Sequence, residues 1–258
     1  MTRTLKDTWT MTKRSLRHIV RSPDTIITVV LMPIAMMLLF LYVFGGAIGQ
    51  TTDSVKYVDF ITPGIIIMAV VSGIAYAAVR LSLDLHKGII SRFRTMPVAP
   101  SSILAGQVAS STLSNLVSSL LVLAVAFAVG FRSAAGPGEW LVFVLLLVLF
   151  TLATTWLAIF FGLLAKTVEG AGAFSYILIL LIFISPAFVP TDSMTPILRG
   201  FADNQPMTPV IETIRSLLTQ GTPGASVWIA IAWCVGILVV MYIASLWVYK
   251  HKAISVNS

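Results

Sequence analysis

Six stretches of this chain are apolar for about the length needed to cross a bilayer, and no other feature limits its fold as strongly. They run roughly from Thr25 to Phe44, Phe60 to Leu83, Ile103 to Phe131, Trp140 to Leu164, Ala171 to Phe188 and Val227 to Tyr249. A helix needs about 20 mostly apolar residues to cross the hydrocarbon, and backbone in lipid must satisfy its own hydrogen bonds. The expected fold is therefore an all-α integral membrane protein with six transmembrane helices. A composition of 57% hydrophobic and 10% charged residues, with a mean hydropathy of +0.95, agrees with this class. The first run has small residues behind it, Gly45, Gly46 and Ala47, as a signal peptide would. Its apolar part is longer than a signal core and 24 residues precede it, so it is expected to be retained.

The basic residues set the expected orientation. With the N-terminus in the cytoplasm, thirteen of the seventeen Lys and Arg fall on the inner side, together with only four acids. The outer side holds Lys56, Arg132, Arg199 and Arg215 against six acids. This is the distribution that insertion imposes, and it places both termini in the cytoplasm. It also accounts for a pI near 9.8 without nucleic acid, since no basic segment interleaved with aromatics is present.

Residues 1–24 read as an amphipathic interfacial helix. Leu5, Trp9, Thr12, Leu16, Ile19 and Val20 recur every three or four residues, while Lys6, Lys13, Arg14, Arg17 and Arg21 mostly fall elsewhere. Ser22 and Pro23 supply a cap and a first-turn proline before the chain enters the membrane. A basic topology signal without fixed structure is the alternative. Residues 25–249 form the six-span domain, and 250–258 a cytoplasmic tail.

Several chemistries are excluded by what the spans lack. No ionisable side chain sits near a span centre, as ion coupling or a charged filter would require; Arg80 and Asp84 approach the inner end of the second span, and Asp59 its outer end. His18, His86 and His251 all lie on the cytoplasmic side, so neither a serine–histidine pair nor a histidine metal site is expected at mid-membrane. No catalytic and no metal-binding residue is therefore assigned. The lone cysteine, Cys234, lies in an apolar run and reads as a packing residue. No lysine follows a glycine, so a phosphate-cradling loop is absent and the chain is not expected to hydrolyse nucleotide. Active transport then requires energy from a partner.

Residues 84–102 form a cytoplasmic loop suited to such a partner. Within it, Ile89, Ile90, Phe93 and Met96 share one face of a short helix and Arg92 and Arg94 another, with Pro97 as a stop. An apolar edge flanked by arginines fits a groove in a soluble protein.

Residues 189–224 form the outer segment between the fifth and sixth spans. Five prolines between Ser185 and Val210 forbid a continuous span, yet the stretch is too apolar for a linker. A helix is expected over Pro209 to Thr219, capped by Thr208 and ended by Gly221, with Val210, Ile211, Ile214, Leu217 and Leu218 along one stripe. Arg215 is expected on its wetter face. A second short helix is expected around Ile197 to Ala202. In the third span, Gly106, Ser110, Ser114 and Ser118 recur every four residues, with Asn115 beside them. Close helix packing and a polar lining of the transport path both fit that stripe.

Two of these segments carry a family resemblance. "KGIISRFRTMPVAPSSILAG" resembles the loop of the ABC type-2 exporter permeases, in particular the daunorubicin-resistance branch. "FVPTDSMTPILRGFADNQPMTPVIETIRSLLTQG" resembles the outer segment of the same branch. It departs in having Met194, Thr195 and Pro196 where many relatives place methionine next to proline, and Asn204, Gln205 and Pro206 where many have asparagine directly before proline. The resemblance implies a permease paired with a second copy or a homologous permease and with two cytoplasmic ATP-binding cassette subunits, in a bacterial-type plasma (inner) membrane. ATP and Mg would be bound by those subunits, with no cofactor in this chain. By position, Lys87, Gly88, Ile89, Ile90, Arg92, Phe93 and Arg94 carry over as the ATPase contact, and Arg21, Ser22 and Pro23 as the end of the family's connecting helix. The outer helices resemble re-entrant ones that cap the pathway. Phe188, Pro190, Pro206, Pro209, Ile211, Ile214, Leu217 and Leu218 are the expected outer gate. The expected function is export of an amphipathic drug-like molecule or lipid. Export of a glycan or polymer intermediate, and a non-transporting anchor or assembly protein, are the alternatives.

Overall fold

A computed structural model describes residues 27–44, 54–87, 100–191 and 194–254. The expected interfacial helix at 1–24 and residues 88–99 of the coupling loop lie outside the described residues. Every regular element among the described residues is helical. In chain order, α1 covers residues 27–44, with π-type turns at Ile27–Leu31 and Phe40–Phe44 flanking Met32–Leu39. Then follow α2 (Ser54–His86), α3 (Pro100–Val129), α4 (Pro137–Leu164), α5 (Val168–Phe183), α6 (Pro196–Asn204), α7 (Met207–Arg215) and α8 (Val227–Ile254). A π-type turn at Ser216–Gln220 extends α7.

Four of these helices, α2, α3, α4 and α8, are long and apolar enough to cross a membrane. The described part of α1 and all of α5 are shorter apolar helices. The length of α5 has local causes. Thr167 accepts a hydrogen bond from the Gly170 amide at 3.1 Å and so caps its start. At the other end the helix gives way to turns from Ile184, two residues before Pro186. Its 16 residues span about 24 Å, less than the ~30 Å of hydrocarbon. The apolar run therefore continues past the helix, and Pro186, Ala187 and Phe188 are buried in the turns.

Helix α2 is the centre of the bundle: α1, α3, α4, α5 and α7 all pack on it. In its most apolar window 78% is buried, against 11% for α8, which rests mainly on α4. Lipid tails are as apolar as leucine, so such packing depends on close contact rather than on escape from water. Glycines allow that contact. A Cβ on Gly162 of α4 would stand 3.0 Å from the Ala78 carbonyl oxygen, and one on Gly64 of α2 would stand 2.7 Å from the Ala187 Cβ. The connections are also pinned. The Arg132 amide donates to the Asp59 carboxylate at 3.2 Å, and His86 sets its ring nitrogens 2.8 Å from the Ser82 carbonyl and 3.1 Å from that of Lys166.

Candidate functional site

At one end of the bundle, α6 and α7 fold back between α5 and α8. Pro196 is the first residue of α6, where a missing amide donor costs nothing. The helix expected from Pro209 begins two residues earlier, at Met207. Thr208 is not its cap: its hydroxyl donates to the Ala202 carbonyl at 2.5 Å and ties α7 to α6. Pro206 occupies the cap position and Pro209 lies buried in the first turn. Gly221 ends the extension with φ +64°, a left-handed conformation that glycine adopts without steric penalty.

The α7 stripe is buried to completion. Ile211, Ile214, Leu217 and Leu218 have no exposed surface, and they join the main core with residues of α2, α4 and α8. Phe188 stacks on Phe40 of α1 with ring centres 4.5 Å apart and contacts Phe183 at 5.1 Å, so it closes the seam between α1 and α5. Pro190 is exposed. The expected gate residues therefore divide into an α7 core group, the Phe188 ring cluster and exposed Pro190.

Arg215 overturns the expectation of a wet face. Its guanidinium lies 3.9 Å over the Phe60 ring, donates to the Phe60 carbonyl at 3.1 and 3.3 Å, and donates to the Pro186 carbonyl. Burial pushes its pKa down to about 10 against the opposing pull of Glu212, so it stays charged at neutral pH. Glu212, on the same helix, is exposed. The arginine instead bolts α7 to α2 and to the turn after α5. Other ties complete the attachment. Leu218 offers its helix-end carbonyl to the Ser133 hydroxyl and the Ala134 amide, both at 2.9 Å. The Gln205 amide group donates to the Leu181 carbonyl at 2.8 Å, and the Thr213 and Ser226 hydroxyls stand 3.2 Å apart.

The third-span stripe lies on the other side of α2. Ser118 donates to the Val29 carbonyl of α1 at 2.5 Å, and Ser110 to the Gln107 carbonyl of its own helix at 3.0 Å. Gly106 is buried, and Ser114 is half-buried. Asn115 is buried against Gly73 of α2, where any Cβ would fall 1.7 Å from its side-chain oxygen. A cavity of about 10 Å³ opens here between α1, α2 and α3. Tyr76, Arg80, Gln107 and Ser111 join Ser114 and Asn115 in its wall. The expectation had named only the α3 side. The α2 side was legible as Gly73, Tyr76 and Arg80, whose spacings of three and four residues put them on one helical face.

Of the expected ATPase contact only Lys87 lies among the described residues, in the turn that ends α2, with its amide bonded to the Leu83 carbonyl at 3.0 Å. Gly88, Ile89, Ile90, Arg92, Phe93 and Arg94 lie outside them. No group of three or more metal-ligating side chains occurs among the described residues.

The sequence that builds this bundle of apolar helices matches a known family. The ABC-2 type transporter family model matches residues 6–219. This chain belongs to that family. The ABC-2 permease is 30% identical over 234 residues to the daunorubicin resistance ABC transporter permease protein DrrB1 of Streptomyces coeruleorubidus, covering 89% of this chain and 81% of that protein. It is 28% identical to the probable doxorubicin resistance ABC transporter permease protein DrrC of Mycobacterium tuberculosis, over 89% of this chain and 83% of that one. It is 29% identical to the inner membrane transport permease YadH of Escherichia coli, over 71% and 72% respectively. Membership makes this ABC-2 permease a multi-pass membrane subunit rather than an ATPase, and implies ATP-binding partner subunits.

Proposed function

We propose that the permease exports an amphipathic drug-like molecule or lipid from the cytoplasm or inner leaflet, driven by two ATP-binding cassette subunits and paired with a second permease. The similarity to the daunorubicin and doxorubicin resistance permeases over 89% of the chain carries this proposal. The termini and the 84–102 loop face the cytoplasm in this reading, which the distribution of basic residues supports. Lys87, Gly88, Ile89, Ile90, Arg92, Phe93 and Arg94 then receive the push of the ATPase, and α2, continuous with that loop, is the lever. At its far end α2 meets α7, whose buried stripe serves as the apolar outer gate. Transmission through α2 is economical because Phe60, near its outer end, is the residue that Arg215 holds.

The test is transport in inside-out vesicles that contain the permease and the cassette ATPase that co-purifies with it. ATP-dependent accumulation of doxorubicin, lost in Phe93→Asp at equal expression, is the expected result. Co-purification of an ATPase without ATP-driven accumulation of any amphiphile would overturn the substrate class. Normal accumulation in Phe93→Asp would remove the coupling assignment.

A further inference from the structure

Two cationic side chains join α2 to the segments that flank α5, one at each end of the pair. At the α7 end, Arg215 donates to the Phe60 carbonyl of α2 and to the Pro186 carbonyl in the turns after α5. At the opposite end, His86 sets Nδ1 2.8 Å from the Ser82 carbonyl of α2 and Nε2 3.1 Å from the carbonyl of Lys166, which directly precedes the Thr167 cap of α5. From Phe60 to Ser82 α2 rises about 33 Å, so the two ties stand roughly one hydrocarbon thickness apart. Close contact fills the length between them. A Cβ on Gly64 of α2 would fall 2.7 Å from the Ala187 Cβ, just beyond α5, and one on Gly172 of α5 would fall 3.0 Å from a methyl carbon of Val79. Helices held at both ends and interlocked between them shift as a pair.

The two ties differ in their chemistry. An arginine keeps its charge and a fork of donors, whereas a neutral imidazole has a single N–H. Both His86 nitrogens face carbonyl oxygens, which only accept, so both contacts are hydrogen bonds only when the ring carries both protons. With one proton gone, a ring nitrogen and a carbonyl oxygen oppose their lone pairs, and the ring turns away. The Ser82 hydroxyl, 3.4 Å from Nδ1, is too distant to be more than a weak substitute. Histidine is the side chain that changes charge between about pH 5 and about pH 8. His86 is exposed, so its ring exchanges protons with the surrounding water. Among the described residues, the charged groups on the elements around it are Asp84 and Lys87 at the end of α2, Lys166 in the connection and Glu169 in the first turn of α5.

We propose that α2 and α5 form a single two-helix lever and that His86 is its pH-sensitive clip. As an imidazolium it binds the end of α2 to the connection before α5; as a neutral ring it lets the two part. Arg215 is the permanent clip at the other end. The His86 clip does not depend on what the permease carries. Its consequence for coupling rests on the exporter reading above: a push delivered through the loop that follows His86 reaches the α7 plug by both helices, because Arg215 is bonded to Pro186 as well as to Phe60. His86 is then a positioning residue for coupling.

Pulsed electron spin resonance on the purified full-length permease tests the clip without transport. Spin labels are placed at Lys87→Cys and Glu169→Cys, both exposed, in a Cys234→Ser background. The distance distribution should be narrow at about pH 6 and roughly twofold broader at about pH 8. His86→Arg, which keeps a charge and several donors, should hold it narrow at both, and His86→Ala should leave it broad at both. A width that ignores both pH and His86→Ala overturns the proposal. So does a pH response that persists in His86→Arg, because Asp84 or another group would then be the one that titrates. In inside-out vesicles with the cassette ATPase, His86→Ala should lower the amphiphile moved per ATP hydrolysed by about threefold while ATPase activity persists. His86→Arg should restore that ratio and remove its pH dependence. An unchanged ratio in His86→Ala would overturn the two-helix lever. Absence of ATP-driven transport in the wild type would count against the exporter reading and leave the distances to decide the clip.

Discussion

Two regions flank α2, and they are built on opposite rules. The α7 plug is apolar, and the charge it turns toward α2 is engaged: Arg215 is covered by two carbonyls and an aromatic face, while Glu212 lies exposed. The seam between α1, α2 and α3 is polar, and its buried Asn115 amide group has no protein partner among the described residues. The cavity in the seam has a volume of only about 10 Å³, so empty space hardly distinguishes them. The buried side-chain donors do: those of the plug are paired, and its one unpartnered buried side-chain atom among the described residues, Gln205 Oε1, is an acceptor. A region in which every donor is answered is complete as it stands and serves closure, whereas a region with a donor to spare is completed by something else. Mutations should therefore act differently on the two sides of one helix.

Ile214→Asp should have the largest effect. Ile214 has no exposed surface and lies in the main core, so the change buries an unpaired carboxylate at a cost of about 3–5 kcal/mol. The single cysteine gives a direct readout, because Cys234 is buried and reacts with a thiol-selective fluorophore only as the fold opens. The labelling midpoint should fall by well over five degrees, and reconstituted vesicles should leak a small dye without ATP. A midpoint close to wild type would mean that the stripe faces a space able to hydrate it, and the contrast with the seam would collapse.

Arg215→Ala comes next. It removes charge-assisted bonds to the Phe60 and Pro186 carbonyls and the cover over the Phe60 ring, about 2–3 kcal/mol together. Arg215→Lys should recover only part of this, because an ammonium lacks the planar fork that reaches both carbonyls while stacked on a ring. The measurement is the same labelling midpoint, with basal ATPase of the assembled transporter as a second readout. A lysine variant equal to wild type would reduce the bolt to a simple charge and remove its geometric role.

The roles of these two residues were unequally legible in the sequence. The apolar runs announced the helices, and Gly221 announced the end of α7, because both depend on local rules of length and backbone conformation. The stripe from Val210 to Leu218 was likewise visible as a period. Arg215 was misplaced because period assigns a face but not what that face meets: the Phe60 and Pro186 carbonyls come from segments 155 and 29 residues away in the chain. The short α5 escaped notice for a related reason. Its apolar run was long enough to span, but a cap at Thr167 and turns around Pro186 cut the helix inside that run. In the seam the α3 stripe was legible and its α2 wall was not joined to it, since helix pairing is decided by tertiary packing that spacing alone does not encode.

Asn115→Leu should have the smallest effect on stability, and it separates the two regions most cleanly. In the plug, removing a polar group breaks bonds that the protein makes to itself. In the seam, the Asn115 amide group has no partner among the described residues, so a leucine, larger but branched at the same carbon, gives up no bond seen there and removes a buried donor. Stability should stay within about 1 kcal/mol of wild type, with the labelling midpoint unchanged or slightly raised. A fall comparable to that of Arg215→Ala would show that the amide already holds the helices together, and the seam would join the plug as a packing device. Steric fit is the competing cause of any loss, because Gly73 leaves no space for a branched group on its surface. Asn115→Ser controls for this, since it shortens the side chain and keeps a polar atom. If serine and leucine both leave the midpoint unchanged, the donor at position 115 is not needed by the fold.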